Sequence, residues 1–144
     1  MTLAVLMSSA GPRRLSRFYR HLALWVLQSW LAMFYIAAGY AKLTQPQDML
    51  AVLMTWPADA SLRTIQLIGW AELLLATAMI APLASWSLLR RPMLVAAVCL
   101  MAEATLMAIY HASTHHAGHV VTNAALATMS LLVVVGRRGA RASP

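Results

Sequence analysis

Charged side chains are scarce in this sequence: Asp, Glu, Lys and Arg make up 10% of its 144 residues. Soluble domains carry about a quarter, so the chain lacks the polar surface that a water-soluble domain needs. Acids are scarcer still, four against eleven Lys and Arg, for a net charge of +7. An excess of that sign raises the question of nucleic acid. The basic residues, however, form short clusters between apolar runs rather than one groove-sized patch, and that is how membrane topology signals are distributed. Nucleic acid is therefore not an expected partner. There is a single cysteine, Cys99, in the middle of an apolar run. A disulfide within the chain and a Cys-x-x-Cys redox pair are both excluded, and Cys99 is expected to be a small core or lipid-facing residue. The start, MTLAVLMSSAGPRRLSRFYRH, also lacks the order of a secretory signal, because its apolar stretch precedes the arginines. Residues 1–21 are expected to form a mobile basic arm on the cytoplasmic side, with Arg13, Arg14, Arg17 and Arg20 against anionic headgroups.

What the sequence does have is long apolar runs, 61% of it being hydrophobic. A hydrocarbon core of about 30 Å takes roughly 20 residues of helix, and segments 22–41, 62–82, 92–111 and 120–136 qualify. Pro46 and Pro57 separate the first two, Pro82 and Pro92 bracket the next connection, and Gly118 is expected to end the third helix. The fold class predicted is all-α, an integral membrane four-helix bundle over 22–136 with a short basic tail at 137–144. With four spans, Arg13, Arg14, Arg17, Arg20, Arg90, Arg91, Arg137, Arg138 and Arg141 fall on one side, and only Lys42 and Arg63 on the other. Positive-inside bias then predicts both termini in the cytoplasm, in an inner membrane. Trp25, Trp56 and Trp86 fall near span ends, as an interfacial belt requires, while Trp30 and Trp70 sit deeper. Small residues at 37–41, and at Ala124 and Ala125 on the fourth run, are candidates for close helix contacts.

Two acids interrupt the apolar runs, Glu72 in LIGWAELLLA and Glu103 in LMAEATLM. At a rise of 1.5 Å per residue they lie roughly 15 and 12 Å below the outer boundary, on adjacent antiparallel helices. They are expected to meet near the midplane, with at least one of them carrying a proton. Such a pair can share a proton, hold a cation or hydrogen-bond a polar ligand, or else simply tie helices together. Lys42, Tyr110, His111 and Asn123 add polarity in the same outer half, although Lys42 can also snorkel to water or pair with Asp48 or Asp59. His111, His115 and His119 follow at a spacing of four, which would align them on a continuing helix as ligands for a divalent metal. The alternative is solvated loop histidines, or a proton relay through His111.

The stretches FYIAAGYAKL (34–43), WP (56–57) and IGWAELLLATAMIAP (68–82) resemble the DoxX-like four-helix membrane proteins. The resemblance covers about residues 22–138 and maps that family's Gly-x-x-Lys-Leu onto Gly39, Lys42 and Leu43. Its Gly-x-x-Glu falls on Gly69 and Glu72, its third-helix histidine on His111, and its closing basic motif on Gly136, Arg137 and Arg138. It implies a membrane subunit of a quinone-linked oxidoreductase, of the kind found in thiosulfate:quinone oxidoreductase, or an associate of redox-stress proteins. No haem, flavin or iron–sulfur motif is present, and His21 falls on the wrong side to complete a bis-histidine haem. The ligand expected is therefore a quinone, with Lys42, Glu72, Glu103, Tyr110, His111 and Asn123 as binding or proton-handling candidates, and the partners expected are the lipid bilayer, a redox enzyme subunit and a further copy of the chain. A non-catalytic scaffold or assembly factor is the alternative. A proton or small-solute pathway is weaker, since four short spans without an inverted repeat or a broken helix offer little of a route.

Overall fold

A computed structural model describes residues 3–138, with side chains from Arg14 onward. Arg13 and Arg141 of the expected arm and tail lie outside the described side chains. The chain forms α1 (Leu3–Thr44), α2 (Gln47–Met54), α3 (Leu62–Ile80), α4 (Trp86–Ser113) and α5 (Ala117–Arg138), with 3₁₀ turns at Trp56–Asp59 and Ala81–Leu83. Four of these helices are long and apolar enough to cross a membrane, over Arg14–Thr44, Leu62–Leu83, Trp86–Ser113 and Ala117–Arg138. α1 packs on α3, α3 on α4, α4 on α5, and α5 returns to α1, closing a four-helix ring.

The distribution of polarity is that of a body solvated by hydrocarbon. Leu67, Leu74, Val95, Leu106 and Val135 stand exposed on the outer faces, while Gln28, Lys42, Glu72, His111, Ser130 and Arg137 are buried between the helices. Outward apolar faces cost nothing in lipid, whereas a polar group there must find its partner inside the bundle. Cys99 is exposed in the middle of α4, on the lipid-facing surface.

Several boundaries differ from the sequence expectation. α1 begins at Leu3, so the residues expected to form a separate arm continue the first helix. α4 begins at Trp86 and contains Pro92. Pro82 alone breaks the chain here, within the 3₁₀ turn that leads into α4. Nor does Gly118 end α4. The helix stops at Ser113, and the reversal is made by His115, at φ 62°, which leaves Gly118 in the first turn of α5.

The close contacts are made by glycines rather than by the alanines of α5, since Ala124 and Ala125 face outward. A Cβ on Gly39 would stand 2.7 Å from the carbonyl oxygen of Gly69, and one on Gly69 would stand 3.0 Å from that of Gly39. The backbones of α1 and α3 therefore touch at this pair of glycines, an approach only residues without a side chain permit. This crossing positions the site, because Lys42 follows Gly39 and Glu72 follows Gly69 by three residues each, on the same faces.

Candidate functional site

Beside the glycine crossing, the Lys42 ammonium lies 2.6 Å from both oxygens of the Glu72 carboxylate. Both residues are buried, and the Trp56 ring lies 5.9 Å from the ammonium. Lys42 neither snorkels to water nor turns to Asp48 or Asp59; it crosses to the neighbouring helix. The expected meeting of the two acids holds, and Lys42 is added to it. Glu103 does come close enough to Glu72 to interact with it, but Lys42 interacts with both, so the cluster has one cation and two acids. Lys42 is thus committed to Glu72, and Glu103 hydrogen-bonds the same side chain from α4.

Lys42, Glu72 and Glu103 all line a cavity of about 410 Å³. Phe34, Tyr35, Met107 and Leu126 supply apolar walls, and Leu53, Met54 and Trp56 reach it from the α1–α3 connection. Thr55, between Met54 and Trp56, has φ 66°, which a β-branched residue rarely adopts, and this turn directs the chain from α2 into the 3₁₀ segment that carries Trp56. Two further polar residues complete the wall. Asn123 lines it while its amide donates to the His119 carbonyl at 2.8 Å, and His111 lines it from α4. The His111 Nδ1 is buried with no hydrogen-bond partner in the protein. A buried polar atom of this kind is costly unless a ligand or water completes it.

The histidines are grouped differently from their spacing. The turn at His115 brings His119 back onto His111 with stacked rings 4.8 Å apart, and His116 stands 6.2 Å from each. His115 itself is exposed and outside this cluster. Thus the aligned triad His111, His115, His119 does not form, and among the described residues no group of three His, Cys, Asp or Glu side chains has the geometry to hold a metal ion. What forms instead is a graded column, from buried His111 through half-buried His119, which also lines the cavity, to exposed His116. Tyr110 belongs elsewhere: its hydroxyl donates to Asp59 at 3.3 Å, in a neighbouring groove with Trp56 and Leu106.

Sequence reasoning passed over Tyr35, which lines the cavity and donates its hydroxyl to the Leu100 carbonyl at 3.3 Å. The signal was present, since Tyr35 precedes Gly39 by four residues and Lys42 by seven, on one helical face. Tyr35→Phe is expected to cost about 1 kcal/mol, the net worth of one buried hydrogen bond, read as a small fall in the thermal unfolding midpoint in detergent. A midpoint equal to that of the unaltered protein would show that this bond holds nothing.

Comparison with known protein families matches residues 26–133 to the DoxX-like family. No curated protein and no solved structure matches the chain.

Proposed function

The chain belongs to the DoxX-like family, and from that premise we propose that it serves as a membrane subunit of a quinone-linked redox system and holds a quinone head group in the cavity between α1, α3, α4 and α5. The observation that carries this reading is the unpartnered Nδ1 of buried His111 on the wall of a cavity that joins apolar walls to a few polar groups, Glu103 among them. Quinone sites need flat apolar walls, one or two donors for the carbonyl oxygens and a route for protons. Phe34, Met107 and Leu126 provide the first, His111 and Glu103 the second. The imidazole column through His119 to His116 provides the third. Full reduction of a quinone takes two electrons and two protons. The electrons come from a partner redox subunit, and the protons from Glu103 and the imidazole column. Positive-inside bias supports placing the Arg137 end in the cytoplasm and the cavity in the outer half of an inner membrane.

Binding of a short-chain ubiquinone analogue to the purified protein in nanodiscs tests this reading, followed by native mass spectrometry and by quenching of tryptophan fluorescence. Saturable binding is expected, and Glu103→Gln and His111→Leu are each expected to weaken it about 10- to 100-fold, the loss of one hydrogen bond to a charged or buried partner. Glu103 hydrogen-bonds Glu72 across α3 and α4, a bond the amide of Glu103→Gln can still donate, and His111 Nδ1 has no partner to lose, so unfolding midpoints are expected to stay within a few degrees. An unaltered protein that fails to bind quinone in either oxidation state would sink the proposal. One observation favours the scaffold reading: the Lys42–Glu72 pair sits at the tightest helix crossing. A scaffold predicts that Glu103→Gln leaves partner assembly intact while Glu72→Gln dissolves it.

A further inference from the structure

The opposite end of the bundle is built around Arg137. Although it is the penultimate residue of α5, its side chain is 2% exposed and runs back between the helices. The guanidinium lies over the indoles of both Trp25 and Trp86, 4.9 Å from each ring centre, the two rings being tilted by 57° with centres 6.2 Å apart. Its Nε donates to Gln28 Oε1 at 2.6 Å, and its Nη1 lies 3.1 Å from Nδ1 of His21. Its Nη2 is buried without a partner. Gln28 is itself held in place, donating to the Met79 carbonyl and to the Met93 sulfur at 3.0 Å each. Gln28 and His21 thus meet Nε and Nη1, and Nη2 is left unmatched.

The local balance of donors and acceptors is one-sided. Trp25 Nε1 donates to His21 Nε2 at 3.0 Å, while the other nitrogen of the same ring faces Arg137. A neutral imidazole has only one lone pair to offer, so two donors compete for it. Arg90 adds another cation, donating to the Arg137 carbonyl at 2.6 Å and keeping a buried Nε with no partner. Exposed Arg17 and Arg20 line the same groove, of about 450 Å³, beside His21 and Arg137. Among the described residues no carboxylate answers them. All four acids of the sequence are accounted for elsewhere, Glu72 and Glu103 in the cavity, Asp48 in α2 and Asp59 in the 3₁₀ turn that follows. Buried charges are ordinarily paired, and a planar guanidinium edge with spare N–H groups fits the oxygens of a phosphate.

We propose that the groove between α1 at Arg17 to Leu24, the start of α4 and the end of α5 is a site for a phosphate group of net negative charge, anchored by Arg137 and gripped at its rim by Arg17 and Arg20. A phosphate supplies the acceptor oxygens that His21 and Gln28 cannot, at a depth where basic pockets between membrane helices meet headgroups. The phosphate can arrive as the headgroup of an anionic lipid or as a free anion, and one experiment separates the two.

The full chain is reconstituted in nanodiscs of phosphatidylcholine alone, of phosphatidylcholine with phosphatidylglycerol, and of phosphatidylcholine alone with inorganic phosphate in the buffer. Thermal midpoint, tryptophan emission and lipid retained in native mass spectra are followed. Anionic lipid is expected to raise the midpoint and shift the emission of Trp25 and Trp86, and Arg137→Gln to abolish both responses. Because Arg137→Gln disturbs the packing between two tryptophans, the Arg17→Gln/Arg20→Gln double variant, altered only at exposed positions, is the decisive one. It is expected to lose about tenfold in lipid affinity, as for one charge-assisted bond. Arg91→Gln, an exposed cation near the same end and outside the groove, is expected to change nothing. A response to phosphatidylglycerol alone assigns the site to lipid, and a response to inorganic phosphate as well assigns it to the phosphate group itself. Equal behaviour in all three nanodiscs would overturn the proposal outright, and an Arg91→Gln loss as large as that of the double variant would overturn it in favour of diffuse attraction to a charged surface.

Discussion

Lys42→Met is expected to destabilise the bundle by about 3–5 kcal/mol, the cost of stranding one partner of a buried ion pair. The carboxylate of Glu72 is 3% exposed, and the ammonium that now faces both of its oxygens is the charge that makes it tolerable. Glu72→Leu leaves the ammonium only the attraction of Glu103, and its expected cost is correspondingly smaller. If burial is the cause, the double variant Lys42→Met/Glu72→Leu recovers most of the loss, because replacing a whole buried pair by apolar side chains of similar size is often neutral. Unfolding of the four proteins in mixed micelles closes the cycle and isolates the coupling. A Lys42→Met protein as stable as its parent would show that the pair does not hold the helices. The double variant also separates structure from chemistry. It folds, but its cavity has lost both the cation and one of its two acids, so under the proposed function its quinone affinity falls while its stability does not.

The four helices, their order and the motif residues at the site were legible because each rests on local pattern. Apolar runs of membrane length, prolines between them and two glycines three residues ahead of a lysine and an acid are all visible in one dimension. What was not legible depends on which helix faces meet. Lys42 stands at the end of an apolar run, where a snorkelling lysine is the ordinary reading, and only the contact between Gly39 and Gly69 turns it toward Glu72. The histidine spacing assumed a helix that continued to the obvious breaker, Gly118. The chain reversed three residues earlier, through a left-handed His115 that no residue-type preference announces, and His116 replaced His115 in the cluster. Arg137 counts as a topology charge in the sequence. Its burial follows from Gly136, where α5 comes so near α1 that a Cβ would stand 2.6 Å from Leu24, and from two tryptophans positioned to receive it.

The glycines carry the second large expectation. Gly39→Ala places a methyl group 2.7 Å from the Gly69 carbonyl, 3.1 Å from Leu73 and 3.3 Å from Glu72. The nearest of these is backbone, which cannot rotate out of the way, so α1 and α3 must separate. Forcing such a shift costs about 1–3 kcal/mol, and Gly39→Val exceeds Gly39→Ala. The three tested glycines should rank in a definite order. Gly136→Ala meets the end of the Leu24 side chain, which can yield, so its cost is smaller. Gly118→Ala meets nothing within 4 Å and gains helix propensity, a change of at most about 1 kcal/mol toward stability. The consequence reaches the site as well. Lys42 and Glu72 meet at 2.6 Å because the glycines three residues before them touch. Driving the helices apart at Gly39 lengthens that contact without altering a charged group, and quinone affinity is expected to fall together with the unfolding midpoint. If Gly39→Val lowers the midpoint yet leaves binding untouched, the Lys42–Glu72 pair is a fastening for the bundle and no part of the binding site.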